Sequence, residues 1–145
     1  MPEVDDLSPG QLIMNSYAGR FDDLSVPLWL NLGYWKKAQS YTKACEDLAA
    51  LVATTAEFGG NARVLDAGCG FAEPARFWAT KYGVKVHAIN NDLFQVDVAS
   101  ARIERLNLAD QVRVTHGAAT KLALPWQCFD AVVALESAFQ FNTRE

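Results

Sequence analysis

Cysteine and histidine are scarce in this 145-residue chain, and the scarcity excludes chemistry. The three cysteines, Cys45, Cys69 and Cys128, are odd in number, far apart, and include no Cys-x-x-Cys pair. With only His87 and His116 to join them, no zinc site can be assembled, and no metal is expected. Cysteine used in this way suits a reducing, cytoplasmic setting. Basic residues are also outnumbered, 13 against 17 acidic ones, which leaves a net charge of −4. No Lys/Arg-rich cluster offsets that balance, so an electrostatic grip on nucleic acid or on an anionic membrane is not expected. No apolar run is long enough to span a bilayer. The acidic, polar stretch from Pro2 to Asp6 does not read as a secretory signal.

What is present is ordinary for one modest globular domain: 50% apolar residues and 21% charged ones. The informative stretch is Arg63-Val-Leu-Asp-Ala-Gly-Cys-Gly-Phe-Ala72. Val64 and Leu65 read as the end of a buried strand, Asp66 as a carboxylate at its tip, and Gly68 and Gly70 as a turn into a helix with Pro74 in its first turn. Glycines let backbone approach a ligand and take positive φ, and the helix start offers unpaired N–H groups. A dinucleotide fingerprint needs another glycine three residues after Gly70, where Glu73 stands instead. A carboxylate there repels a pyrophosphate. No Gly-Lys-Ser/Thr follows, so the stretch is not a P-loop either. A ligand with a cationic amino-acid tail and no phosphates suits Asp66 and Glu73 better; the plainer alternative is a glycine turn that only packs strand on helix.

Val64-Leu-Asp-Ala-Gly-Cys-Gly70 resembles motif I of the class I S-adenosylmethionine-dependent methyltransferases, above all the branch acting on sterols, tocopherols, sugars and polyketides. The resemblance continues more weakly over most of the chain. It implies an α/β, Rossmann-like three-layer sandwich with a helical N-terminal lid over residues 1–39. Residues 40–145 would be the cofactor-binding half. It also implies S-adenosylmethionine as cofactor, with the backbone of Gly68, Cys69 and Gly70 under its methionine part and Asp66 organising the loop. Ala72 stands where the family has a third glycine.

In chain order, Gln11 to Tyr17 reads as a short helix, and Phe21 to Leu32 as an apolar segment broken by Pro27. Trp29, Tyr34 and Trp35 either plug this segment onto the core or belong to the lid. The Gly-Tyr-Trp resemblance implies that Tyr34, with Tyr17 second, closes over cofactor and substrate. Ser40 caps a helix to about Phe58, ended by Gly59-Gly60-Asn61. Glu73 to about Tyr82 is a helix, with Phe77 and Trp78 facing the core. Lys85 to Ile89 alternates as a second strand, in which His87 is given no role, and ends in Asn90-Asn91-Asp92. That end falls where a ribose-binding side chain belongs in nucleotide-binding α/β units. Asn90 is a turn residue or a ligand there; the resemblance favours binding by Asn90, with Asn91 and Gln95, and Asp92 is a candidate helix N-cap. Leu93 to Leu106 is a helix on which Arg102 and Arg105 are expected to be solvated.

Val112 to Thr115 is strand three. The following Gly117-Ala-Ala-Thr-Lys-Leu-Ala-Leu-Pro125 resembles the family's adenine loop. Ala118 replaces that loop's carboxylate, the loss of one charge-assisted hydrogen bond, about 1.5–3 kcal/mol. The Ala119 N–H remains to meet the ring, while Leu122 and Leu124 sandwich it or are core. Phe129 to Leu135 is strand four, with Leu135 at the cofactor. The resemblance places Glu136 beside the transferring methyl, or as a loop-ordering group, and puts Gln140 where relatives have a histidine base. Relatives continue for about as many residues again. This chain therefore accounts for a partial parallel sheet of order 3-2-1-4 with an apolar strand-four edge, through which a homo-oligomer could form. The implied reaction is methyl transfer to oxygen, nitrogen or carbon of a small-molecule acceptor. The rival reading is a truncated homologue that is inactive or depends on a partner.

Overall fold

The structure is a computed structural model that describes residues 9–125 and 127–142. Four parallel strands form one sheet in the order β3-β2-β1-β4: β1 Arg63–Ala67, β2 Lys85–Asn90, β3 Val112–His116 and β4 Ala131–Val133. The helices are α1 Pro9–Ser16, α2 Tyr41–Thr55, α3 Glu73–Tyr82 and α4 Leu93–Arg105. α3 links β1 to β2 and α4 links β2 to β3. This is the Rossmann-like α/β unit that the sequence implied, in the implied strand order.

Register explains the core. Val64 pairs with Val86 and Val86 with Val112, so these valines lie on one face, together with Ala88 and Val133. That face packs against Cys45, Ala49 and Ala53 of α2, Ala75, Trp78 and Ala79 of α3, and Ala99 and Ile103 of α4. Small residues on the helices let them sit close to the valines, and Trp78 fills the remaining volume while its Nε1 donates to Ala49 O of α2 at 2.8 Å. The alternate residues His87, Arg113 and Val132 share the other face. Val132 is 67% exposed there. β4 is shorter than the expected Phe129 to Leu135: only Ala131, Val132 and Val133 pair with β1, and Glu136 beyond it has a φ of 50°.

Local signals placed the helix starts. Ser40 accepts from Lys43 N, and Asp92 accepts from Gln95 N, each as an N-cap. The end of α2 differs from expectation. It closes before the glycines, with Phe58 N donating to Ala53 O at 3.0 Å and Glu57 N to Thr54 O at 3.2 Å. That is a Schellman closure with Glu57 at a φ of 53°, where glycine is the usual choice.

The N-terminal segment is less helical than expected. Only α1 is regular; residues 17–39 contain no helix or strand. The reason is where their carbonyls go. Tyr17 Oη donates to Trp29 O, and Tyr41 Oη shares its one proton between Asn31 O at 2.7 Å and Trp29 O at 3.0 Å. Arg102, expected at the surface, is 4% exposed and donates to Phe21 O, Asp23 O and Val26 O. Arg105, also expected to be solvated, keeps a half-exposed side chain but donates to Asp22 O at 2.9 Å. Of the three aromatic residues read as plug or lid, Trp29 is the plug, 1% exposed against Phe77, while Tyr34 and Trp35 lie at the surface.

Glu57 is exposed, so its side chain holds nothing that its backbone strain offsets. Glu57→Gly should stabilise the fold by about 0.5–1 kcal/mol, the relief of left-handed strain less the added freedom of the unfolded chain. Urea denaturation at 25 °C reads this directly, and a lower midpoint would contradict the Schellman closure.

Candidate functional site

β1 and β2 end side by side, and the chain leaves both at the same edge of the sheet. Gly68 N and Cys69 N each donate to Ile89 O, at 2.8 and 3.0 Å, which binds the glycine turn to the end of β2. Gly117 N donates to Asn90 O at 2.9 Å, which brings the segment after β3 to the same place. The three strand ends open on a cleft of about 360 Å³.

The turn favours glycine at two points, and most strictly at the first. Gly68 has a φ of 83°, and a Cβ there would lie 2.4 Å from Ser137 Cβ. Gly70 has a φ of 58°, and its Cβ would meet Leu30 Cδ1 at 3.0 Å. The glycines thus let Ser137 and the N-terminal segment close on the loop. Ser137 Oγ donates to Ala67 O at 2.5 Å, which fixes that approach. Ala72 follows with a φ of 60° and no side-chain cap bond.

All ten residues expected at the cofactor line this one cleft: Asp66, Gly68, Cys69, Gly70, Asn90, Asn91, Gln95, Ala118, Ala119 and Leu135. Asn90 organises its base. Its Nδ2 donates to Gly70 O at 3.2 Å and to Gln95 Oε1 at 2.9 Å, and its Oδ1 accepts from Asp92 N. One lone pair of that Oδ1 is left for a ligand hydroxyl. Gln95 Nε2 in turn donates to Asp92 Oδ2 at 3.1 Å. The Cys69 thiol is buried, and burial holds it protonated.

Glu136 also lines the cleft, but its Oε2 accepts from Leu32 N at 2.6 Å, so its carboxylate secures the N-terminal segment. Tyr34 is not brought to the cleft. Its N donates to Ala44 O, and its ring lines a shallow hollow over α2 with Lys37 and Leu51. Tyr17 is buried under the segment, where loss of solvent pushes its hydroxyl up to about 12. Glu73, read as an acidic group for a cationic ligand, is 2% exposed and already paired with Arg76 and Arg102.

Two buried polar groups at the cleft have no hydrogen-bond partner among the described residues. Both oxygens of Asp66 are one, and Nδ2 of Asn31 is the other. Asp66 is fully buried, and desolvation pushes its carboxyl up to about 7. Asn31, Leu30 and Ser137 belong to the site but were not singled out from the sequence. Asn31 alone carried a signal, as an amide inside an apolar run.

A methyltransferase domain matches over residues 64–145. The chain belongs to the methyltransferase-domain family. It is 30% identical over 139 residues to erythromycin 3''-O-methyltransferase from Saccharopolyspora erythraea, an alignment covering 94% of this chain and 45% of that protein. The fold matches the crystal structure of the [4+2]-cyclase SpnF with a TM-score of 0.72 at 28% identity, over 86% of this chain and 44% of that one. It also matches an S-adenosylmethionine-dependent methyltransferase from Thiobacillus denitrificans in complex with S-adenosyl-L-homocysteine, with a TM-score of 0.56 at 26% identity, over 64% and 37% of the two chains. This methyltransferase-domain chain thus spans less than half the length of these relatives. S-adenosylmethionine is the family's cofactor, and the cleft's unpaired carboxylate and amide are the complement of an ammonium and a carboxylate. Among the described residues, no cluster of three His, Cys, Asp or Glu side chains is placed to hold a metal, and no helix is long and apolar enough to cross a membrane.

The Asp66 carboxyl has a stability consequence with a definite sign. Its folded value of about 7 lies above the ordinary 3.8, so the fold holds a proton that the unfolded chain has released. The stability this confers is complete below about pH 4 and is lost as pH rises through about 7. Asp66→Asn does not titrate, so between pH 5 and pH 8 its stability relative to wild type should improve by roughly 2–3 kcal/mol. Thermal or urea unfolding at the two pH values reads the difference; a difference that does not change with pH would contradict the buried, unpaired carboxylate.

Proposed function

We propose that this chain binds S-adenosylmethionine in the cleft at the ends of β1 and β2, and that the protein it represents methylates a small molecule at oxygen, nitrogen or carbon. The observation that carries this is the pair of unpaired buried groups, Asp66 and Asn31, lining the cleft beside the glycine turn. Burial without a partner pushes the Asp66 carboxyl towards its neutral form, and a cation placed beside it would favour the charged one. The erythromycin methyltransferase likeness supports a small-molecule acceptor, and the sequence's cysteine usage supports a cytoplasmic protein.

When bound, the cofactor supplies an electrophilic methyl group on a positively charged sulfur. What this chain does is hold and align. The Gly68–Gly70 turn sets the floor, Asn90 presents Oδ1 to a hydroxyl, and the Ala118–Ala119 segment meets the flat end of the ligand. Leu28 and Leu30, on the N-terminal segment, form an apolar part of the cleft wall. Holding donor and acceptor in line is the main source of rate in such a transfer. Glu136 stands at the reacting end as a group that orders the segment through Leu32, and only its Oε2 is used in that bond. Tyr34 takes no part from its observed position. The exposed β4 edge, with Val132 at its centre, is the surface for any second chain.

The likeness to a [4+2]-cyclase favours a second reading, a protein that keeps the fold but catalyses a different reaction. Transfer of labelled methyl from S-adenosylmethionine to an acceptor separates the two.

The first reading predicts that S-adenosylhomocysteine binds at one site by calorimetric titration and that NADH does not. Asn90→Ala should weaken that binding about tenfold, or 1.4 kcal/mol, since it removes an acceptor and frees the loop at Gly70. Absence of binding by the folded chain would sink the proposal.

A further inference from the structure

Residues 17–39 supply one wall of the cleft, yet they contain no helix or strand of their own. Leu28, Leu30 and Asn31 line the cleft. Between residues 17 and 39 no backbone ladder holds them in place. Side chains hold the segment instead: Tyr17 and Tyr41 hydroxyls at Trp29 O and Asn31 O in its middle, and one group towards each end. At the far end Glu136 accepts from Leu32 N, and that carboxylate is exposed. At the near end lies Arg102 of α4, buried, with Nη1 donating to Phe21 O at 2.9 Å and Asp23 O at 3.0 Å, and Nη2 donating to Val26 O at 2.6 Å. Nη2 also donates to Glu73 Oε1 at 3.3 Å, and Glu73 opens the helix that follows the glycine turn.

We infer that Arg102 is a positioning residue for the cleft: its guanidinium, neutralised by Glu73, fixes the backbone at Phe21, Asp23 and Val26 and so sets Leu28, Leu30 and Asn31 over the glycine turn. The inference rests on the cleft being the cofactor site. A planar guanidinium is needed. Its preset fork reaches three carbonyls and a carboxylate at once, whereas an ammonium on a flexible stem is a point charge. Burial makes the arrangement demanding, because every donor left unpaired there carries its full desolvation penalty. The same bonds join two parts of the cleft that are far apart in sequence. Glu73 fixes the start of α3 behind the turn, the carbonyls fix the wall in front, and the gap between them is set by Arg102. Leu30 lies close enough that a Cβ on Gly70 would touch it at 3.0 Å, so a shift of the wall by an ångström changes the cleft.

The test uses Arg102→Lys, which keeps the charge beside Glu73 and loses the fork. S-adenosylhomocysteine affinity should fall about tenfold, as expected if the wall is in its binding position only a tenth of the time. Amide hydrogen exchange should rise at residues 21–32 while β1 and β2 keep their protection. Affinity within twofold of wild type, or exchange that rises equally in the strands, would overturn the inference. Should the variant not fold, wild type decides: S-adenosylhomocysteine should deepen protection at residues 28–32, and unchanged exchange there would overturn the inference. Failure of wild type to bind any S-adenosylhomocysteine is failure of the cofactor proposal; the ligand-free exchange comparison still judges the Arg102 contact by itself.

Discussion

A side chain at position 68 has nowhere to go. The turn after β1 runs at positive φ with Ser137 within touching distance, and most of the site follows from that approach. Because Ser137 closes on Gly68, the chain after β4 is held at the mouth of the cleft, and Glu136, its neighbour, can reach Leu32. Because Gly68 N and Cys69 N are spent on Ile89 O, the turn is anchored to β2, and Asn90 falls beside Gly70. The cleft is the space these contacts leave at the ends of parallel strands, where open α/β sheets take their ligands.

Two buried carboxylates near this turn are treated in opposite ways. Glu73 is ringed by Arg76 and Arg102, and its charge is used inside the protein to set the N-terminal wall. Asp66, one strand-end away, has no hydrogen-bond partner among the described residues and lines the cleft. A fold that supplied two guanidinium groups to one carboxylate left the other for something else. Burial without a partner favours the neutral form of Asp66, and a cationic ligand beside it would favour the ionised form, which couples ligand charge to this carboxyl.

Much of this was legible in the sequence because it is local. The strand, glycine turn and helix of residues 63–82, the N-caps Ser40 and Asp92, and the Asn90–Gln95 pair all lie within short stretches whose chemistry is set by neighbours in the chain. What was not legible depends on partners far away. Arg102 sits on α4 as an ordinary charge; its partners are Glu73 and the carbonyls of residues 21–26, the latter more than seventy positions earlier. Tyr34 looked like a lid residue by its Gly-Tyr-Trp setting, but the hydrogen bond from its own N–H to Ala44 O turns that stretch onto α2 and away from the cleft. Glu57 ends α2 in place of the glycines because Phe58 reaches back to Ala53 before they are reached. A charged residue in a left-handed position is not something a pattern of glycines announces.

The central claim is that one ligand, S-adenosylmethionine or its product, occupies the cleft between the glycine turn and the N-terminal wall. Amide NMR of the labelled chain during addition of S-adenosylhomocysteine tests it most directly. The account predicts shifts that saturate together at Asn31, Gly68, Gly70, Asn90 and Ala119, with Tyr34 and Leu51 over α2 unmoved. Shifts confined to the α2 hollow, or none at Asn31 and Gly70 in a folded chain, would contradict it.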